Sequence, residues 1–91
     1  MRYRASPRFD RSVQRLDPSR KARVKAAVDQ LVAGFETGQF TVGLGLKQLR
    51  PGFWELRAGL SDRVLFHRSG DVIELLLVGN HDEIKRFLKA L

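Results

Sequence analysis

With 91 residues and a hydrophobic content of 43%, the chain is long enough for one small domain with a thin core and too short for several domains. It contains no cysteine, which excludes disulfides and thiolate metal sites and fits a reducing cytoplasm. Arginine supplies twelve of the seventeen cations behind the net charge of +7, an excess that favours a polyanionic partner, either nucleic acid or an acidic protein.

The first third of the chain predicts a short strand and a helical hairpin. Residues 2–5 form the strand, and the N-terminus carries no apolar run that would act as a signal peptide. Ser6 and Asp17 each combine a capping side chain with a following proline, so each begins a helix, and Gly38 ends the second one. An apolar stripe at helical spacing marks the buried side of the second helix: Val24, Val28, Leu31 and Phe35.

After residue 45 the apolar periodicity drops to two, which predicts strands. Short turns separate four of them, over residues 46–50, 53–58, 63–68 and 72–78. The last is too short, and with Glu74 too polar, to cross a membrane, which takes ~20 apolar residues. Asn80 and Glu83 form a capping box for a short terminal helix that runs to Leu91.

These elements predict an α+β fold in a single domain over residues 1–91. We expect the N-terminal strand and the two-helix hairpin to pack with a four-stranded antiparallel sheet, and the short C-terminal helix to follow it. Because both helices of the hairpin cover the same face of the sheet, the other face is expected to stay free. The protein is expected to be soluble and cytoplasmic.

The free face of the sheet carries an unusual set of charged side chains. Strand alternation turns Trp54 toward the core as a packing residue and turns Glu55 and Arg57 outward. Arg63 and His67 of the next strand share that outer side. Two interpretations stay open at this point: a solvated face with weak ion pairs, or a functional site.

Three further polar side chains lie near this face in the predicted fold. His81, at the junction of the last strand and the terminal helix, is placed either to act as a general acid or base or only to begin a helix at the surface. Lys85 lies one turn beyond it on the same side of the helix. Lys47 comes from the neighbouring strand, and its face is undetermined because Leu46 and Leu49 give opposite parities.

Other chemistries find no support in the sequence. Two histidines and scattered carboxylates show no metal-ligand spacing, so neither a metal nor a cofactor is expected. No serine hydrolase motif is present, and the segment 43–45 (GLG) is too short for a phosphate-binding fingerprint.

The second half of the chain resembles the RelE/ParE toxin superfamily. Leu49–Arg57 (LRPGFWELR) followed by Asp62–Phe66 (DRVLF) is similar to the family's Gly-aromatic-Trp-x-Leu-Arg stretch and to the Arg-hydrophobic-hydrophobic-aromatic stretch after it. Leu76–Arg86 (LLVGNHDEIKR) resembles the family's closing Val-Gly-His motif. The helical hairpin also fits, so the resemblance spans nearly the whole chain.

This resemblance implies the fold of small microbial ribonucleases and a monomeric toxin that a cognate acidic antitoxin neutralises. RelE-like members cleave mRNA in the ribosomal A site without a metal, whereas ParE-like members poison DNA gyrase. His81 stands where RelE-like enzymes carry a catalytic histidine or arginine, and Arg63 matches the arginine that contacts the scissile phosphate. These matches favour a ribosome-dependent mRNA endoribonuclease. The alternatives are a gyrase inhibitor and a non-catalytic module that binds RNA or a protein partner.

The reaction that the resemblance implies needs a proton acceptor, a proton donor and cations for the charge that builds on phosphorus. We therefore assign His81 to proton transfer and Arg63 to the phosphate, with Glu55 as a second candidate base. Lys85 stands where many relatives have a tyrosine and is a further catalytic candidate. The remaining candidates bind RNA, through phosphates at Lys47, Arg57 and Arg68 and through base stacking at Phe87.

Overall fold

The computed structural model describes all 91 residues, Met1 to Leu91. In chain order the elements are β1 (Arg2–Ala5), α1 (Pro7–Gln14), α2 (Pro18–Thr37), a 3₁₀ turn (Val42–Leu44), β2 (Lys47–Arg50), β3 (Phe53–Arg57), β4 (Arg63–Ser69), β5 (Val72–Gly79) and α3 (His81–Lys89). None of the helices combines the length and the apolar character that crossing a membrane requires.

The helix boundaries follow the capping chemistry that the sequence predicts. The Ser6 hydroxyl and the Asp17 carboxylate each accept a backbone N–H from three residues ahead, at 3.0 and 2.9 Å. α2 ends at Gly38, whose φ of 77° is a left-handed conformation that glycine adopts without steric cost. Before α3, both hydrogen bonds of the capping box between Asn80 and Glu83 are formed. Local side-chain chemistry therefore determines where each helix begins.

The strands form one five-stranded sheet in the order β1-β5-β4-β3-β2. The meander from β2 to β5 is antiparallel, which confirms the predicted α+β arrangement. β1 joins it as a fifth strand, parallel to β5, with Arg2 opposite Val72 and Ala5 opposite Leu75. This long-range pairing is absent from the sequence prediction, which described the first strand without giving it a neighbour.

The main core lies between the sheet and the two helices of the hairpin. Its members include Phe9 and Leu31 from the helices and Leu56, Phe66 and Ile73 from the strands. Four of these five side chains are at most 1% exposed. The hydrophobic effect at this interface therefore supplies most of the stabilisation of the sheet against the hairpin.

The opposite face of the sheet is only partly free, so the prediction of a wholly free face is wrong. α3 folds back over it, and Ile84 packs against Leu65 and Leu77 in a second apolar cluster. Leu65 lies opposite Leu77 but Phe66 lies opposite Leu75, so Leu76 is an extra residue that forms a β-bulge in β5. The side chains of β5 therefore change faces across the bulge. Without a helix above them, Leu65 and Leu77 would present apolar surface to water.

The loop between β3 and β4 is held to α2 by a bidentate ion pair. Asp62 accepts hydrogen bonds from Arg20 Nε at 2.9 Å and from Arg20 Nη2 at 2.7 Å. The Asp62 side chain is 8% exposed and that of Arg20 is 40% exposed. These hydrogen bonds lower the pKa of Asp62 below its ordinary value of 3.8 and raise the pKa of Arg20.

Because the pKa of Asp62 is lowered in the folded state, the stabilisation is present above the unfolded pKa and is lost as the pH falls through the folded pKa. We expect Asp62→Asn to lower the free energy of unfolding at neutral pH by about 1.5 kcal/mol, the low end of the range for charged hydrogen bonds, because Arg20 is partly solvated. Urea unfolding at neutral pH and near pH 3 measures this. The variant should lose less stability on acidification than the unaltered protein, and an equal loss in both would contradict the linkage.

Candidate active site

The strand register brings four of the charged candidates together at one end of the sheet. Directly opposite residues in antiparallel strands point to the same face. Lys47 lies opposite Glu55, and Arg57 lies opposite Arg63. Arg63 in turn lies opposite Gly79, the last residue of β5. Strand ends that are distant in sequence therefore meet on the face that α3 partly covers.

The register also determines the face of Lys47, which the sequence left open. Leu46 packs on the main core, whereas Leu49 packs on the apolar cluster beneath α3. The two leucines are three residues apart, so their opposite faces agree with strand alternation. Lys47 shares the face of Leu49 and points to the same side as Glu55.

Glu55 and Arg63 form a buried ion pair at this end of the sheet. Glu55 Oε2 lies 3.5 Å from Arg63 Nε, and the two side chains are 10% and 20% exposed. Glu55 Oε1 and Arg63 Nη1 are buried without a hydrogen-bond partner. Buried polar atoms normally find a partner, and a desolvated charge with unused hydrogen-bonding capacity is costly. The pair is thus not one of the weak, solvated ion pairs that the sequence left as an alternative.

α3 places two further candidates beside this pair. His81 is the first residue of the helix and comes two residues after Gly79, the cross-strand partner of Arg63. Two residues of chain span at most ~7 Å. Lys85 lies one turn further along the same side of α3, and both side chains are exposed. The Glu55–Arg63 ion pair and the exposed imidazole of His81 therefore lie at the same end of the sheet.

Two of the predicted RNA-binding residues, Arg68 and Phe87, are not available at the charged end of the sheet in the way the sequence suggested. Arg68 is near the other end of β4, and its guanidinium lies over the Phe35 ring at 5.2 Å, on the side covered by α2. It is not part of the charged group around Arg63. Phe87 is partly buried against the cluster beneath α3, and the Arg8 guanidinium lies 5.0 Å from its ring. A base could reach Phe87 only by displacing Arg8.

The sequence prediction missed a cleft along the outer edge of β5. β1 pairs only with Val72–Leu75, and beyond it α1 runs along β5, where the Ser12 hydroxyl accepts the Val78 N–H at 2.9 Å. The cleft between α1 and the start of α3 has a volume of about 460 Å³. Four arginines line it: Arg8, Arg11, Arg15 and Arg20. The signal was present in the sequence, since the first three recur at helical spacing.

At the sequence level, the chain matches no protein-family model and no curated protein. Its backbone nevertheless resembles solved structures. A chain of the E. coli DinJ–YafQ complex aligns with a TM-score of 0.71 at 12% identity, over 92% of this chain and 98% of that one. A chain of the RelB–RelE antitoxin–toxin complex from Methanococcus jannaschii aligns with a TM-score of 0.69 at 14% identity, over 92% and 96% of the two chains.

The YoeB/ParE toxin from Agrobacterium tumefaciens gives a TM-score of 0.65 at 18% identity, over 89% of this chain and 99% of that one. All three likenesses extend over nearly the full length of both chains. The chain therefore has the fold of the RelE/ParE toxin superfamily.

Proposed function

We propose that this protein is the toxin of a type II toxin–antitoxin system and cleaves mRNA on the ribosome without a metal or other cofactor. The observation that carries the proposal is the buried pair of Glu55 and Arg63, which has a guanidinium nitrogen without a partner. The exposed His81 follows two residues after Gly79, the cross-strand partner of Arg63. The fold adds support, because two of the similar structures are toxin–antitoxin complexes by name. With a ribosome-bound substrate, the protein would act in the cytoplasm.

Arg63 is the proposed phosphate ligand. A guanidinium binds a phosphate through two parallel hydrogen bonds. The electrostatic attraction between the two groups is stronger where water is excluded. The Arg63 side chain is one-fifth exposed, so a phosphate can approach it. Its Nη1 is buried without a partner, and a turn of the guanidinium toward solvent would let that nitrogen donate to a phosphate oxygen. Arg57 and Lys47 add positive charge on the same face. Together they would stabilise the negative charge that develops on the phosphate during attack by the neighbouring 2′-hydroxyl.

His81 is the proposed proton-transfer group. Attack by the 2′-oxygen releases a proton from that hydroxyl, and the departing 5′-oxygen takes one up. An exposed imidazole at the start of α3 can approach a phosphate held by Arg63, because the chain between them is short. Lys85, on the same side of the helix, is the next group that a strand of RNA would meet. It is proposed to stabilise charge in place of the aromatic residue of many relatives.

Glu55 is better suited to orienting Arg63 than to accepting a proton. It is almost fully buried and has one oxygen 3.5 Å from Arg63 Nε. A carboxylate in that place fixes the plane of the guanidinium before the substrate binds, which lowers the cost of ordering it later. We therefore propose Glu55 as a positioning residue.

The proposed protein partner is an acidic antitoxin. The net charge of +7 and the exposed arginines would attract an acidic chain and speed its association. Binding to the folded toxin would also stabilise a domain of this small size.

The test is to map mRNA 5′ ends after a short pulse of expression. We expect new ends at a fixed position within codons, because the ribosome would hold the message in register with the toxin. His81→Gln should lower the cleavage rate by about 10²–10⁴-fold, the usual contribution of a general acid or base, and leave folding intact because the side chain is exposed. Growth arrest without new mRNA ends, accompanied by loss of DNA supercoiling, would instead identify a gyrase inhibitor and overturn the proposal.

A further inference from the structure

The arginine-lined cleft beside β5 meets the candidate active site at a shared boundary. Gly79 lies opposite Arg63 in the sheet and also lines the cleft, and Asn80 continues the lining up to His81. A chain-like ligand that crosses this boundary would contact both places. The cleft thus extends the site away from the sheet and toward α1.

Three of the arginines in the cleft have no acidic partner. Arg8, Arg11 and Arg15 take part in no ion pair. The carboxylates near them are already engaged: Asp62 is held by Arg20, and Glu83 accepts the backbone N–H of the helix cap at 3.0 Å. The cleft therefore keeps an excess of positive charge.

The lining favours a ligand recognised by charge over one recognised by apolar packing. Only three of the 13 lining residues are hydrophobic, and none is aromatic. Protein interfaces usually depend on buried aromatic or aliphatic anchors at their centre, which this cleft does not offer. The planar guanidinium of arginine donates paired hydrogen bonds to phosphate groups, which carry their charge at the surface of the ligand.

The spacing of the arginines fits successive phosphates. Arg8 and Arg11 lie in α1 and Arg15 is its C-cap residue. The seven steps from Arg8 to Arg15 correspond to ~10 Å along the helix axis at ~1.5 Å per residue. A strand of RNA carries one phosphate per nucleotide, so a row of this length can contact about two or three successive phosphates.

We propose that Arg8, Arg11 and Arg15 bind the phosphate backbone of an RNA strand that passes beside the candidate active site. This inference rests on the proposed function, since it takes the end of the sheet as the place of cleavage. The same chemistry is available from the mRNA strand itself and from ribosomal RNA, and the experiment separates these two sources.

The experiment measures RNA binding without cleavage. In a His81→Gln background, Arg11→Gln/Arg15→Gln is compared with Lys21→Gln/Lys25→Gln, a control that removes two charges from the exposed side of α2, outside the cleft. The probes are a fluorescent single-stranded oligouridylate, purified ribosomes without mRNA, and polyglutamate. Fluorescence anisotropy over a salt series gives both the affinity and its salt dependence.

We expect the arginine double variant to bind the oligouridylate about tenfold more weakly and to lower the salt slope by about 0.7 per arginine removed. The lysine variant should lose less affinity for the oligouridylate, because it lowers only the overall charge of the protein. Weaker binding to ribosomes alone, with oligouridylate binding unchanged, would support the same chemistry with ribosomal RNA as its source.

Unchanged affinity for both RNA probes would overturn the inference. So would a loss confined to polyglutamate, which would assign the cleft to an acidic protein. Because the assay needs no cleavage, its failure is distinct from failure of the proposed function, which would appear as the absence of new mRNA ends with the unaltered protein.

Discussion

Removing the charge of Arg63 is expected to lower the rate of mRNA cleavage by about 10²–10³-fold, the cost of losing one preorganised electrostatic contact in a transition state. Arg63→Gln by itself leaves Glu55 as a buried carboxylate without a cation, which costs about 3–5 kcal/mol. That loss approaches the whole stability of a domain of this size. The single variant would therefore confuse loss of folding with loss of chemistry.

The informative protein is the double variant Glu55→Gln/Arg63→Gln. It removes both charges, keeps side chains that hydrogen-bond to each other, and should unfold at nearly the same urea concentration as the unaltered protein. Its cleavage of mRNA on purified ribosomes should still be 10²–10³-fold slower. Arg4→Gln, on the exposed outer strand, serves as the matched arginine control and should cleave at the normal rate.

Glu55→Gln alone should lower the cleavage rate of the folded protein less, by about tenfold, because the guanidinium remains but is no longer held in one plane. Because it leaves Arg63 as a buried cation without a carboxylate, its rate is corrected for the unfolded fraction measured in urea. If Glu55 were the base, this variant would also lose the acidic limb of the pH–rate profile. A folded double variant that cleaves at the normal rate would rule out Arg63 as the phosphate ligand.

Leu65→Ala is expected to lower the free energy of unfolding by about 2–5 kcal/mol, the range for truncating a buried leucine. Leu65 is 0% exposed and lies between the sheet and α3, against Ile84. The resulting cavity would weaken the docking of the helix that carries His81. We therefore expect cleavage to fall more than the unfolded fraction explains.

Leu60→Ala provides the control, since Leu60 is fully exposed, at 102%. Its stability should stay within about 0.5 kcal/mol of the unaltered value. Urea unfolding followed by circular dichroism measures both variants. Equal effects at the two leucines would contradict the role of the second cluster in positioning α3.

Much of the fold was predictable because its signals are local. Ser6 and Asp17 mark the helix starts through hydrogen bonds that span only three residues. The strands of the meander show the alternation of a half-buried sheet and are joined by short turns. The charged face of β3 and β4 followed from the same alternation.

The features that the sequence did not reveal depend on contacts between distant residues. The pairing of β1 with β5 has no local signature in the sequence. The bulge in β5 reverses which of its side chains face the core, and the uninterrupted apolar sequence of that strand does not reveal it. Alternation across that bulge could not show that α3 would cover Leu65. The burial of the Glu55–Arg63 pair and the position of Arg68 on the opposite face depend on the same long-range packing.

The parallel pairing of β1 with β5 has a consequence for the folding kinetics. Its first contact joins residues that are 70 positions apart, so the sheet cannot close until most of the chain has been synthesised. Such non-local pairings slow folding, because the chain loses conformational entropy when the long loop closes, before the stabilising contacts have formed. His81 and α3 come later still along the chain. A nascent chain thus passes through most of its synthesis without an assembled candidate site, which is complete only after the last tenth of the chain has been made.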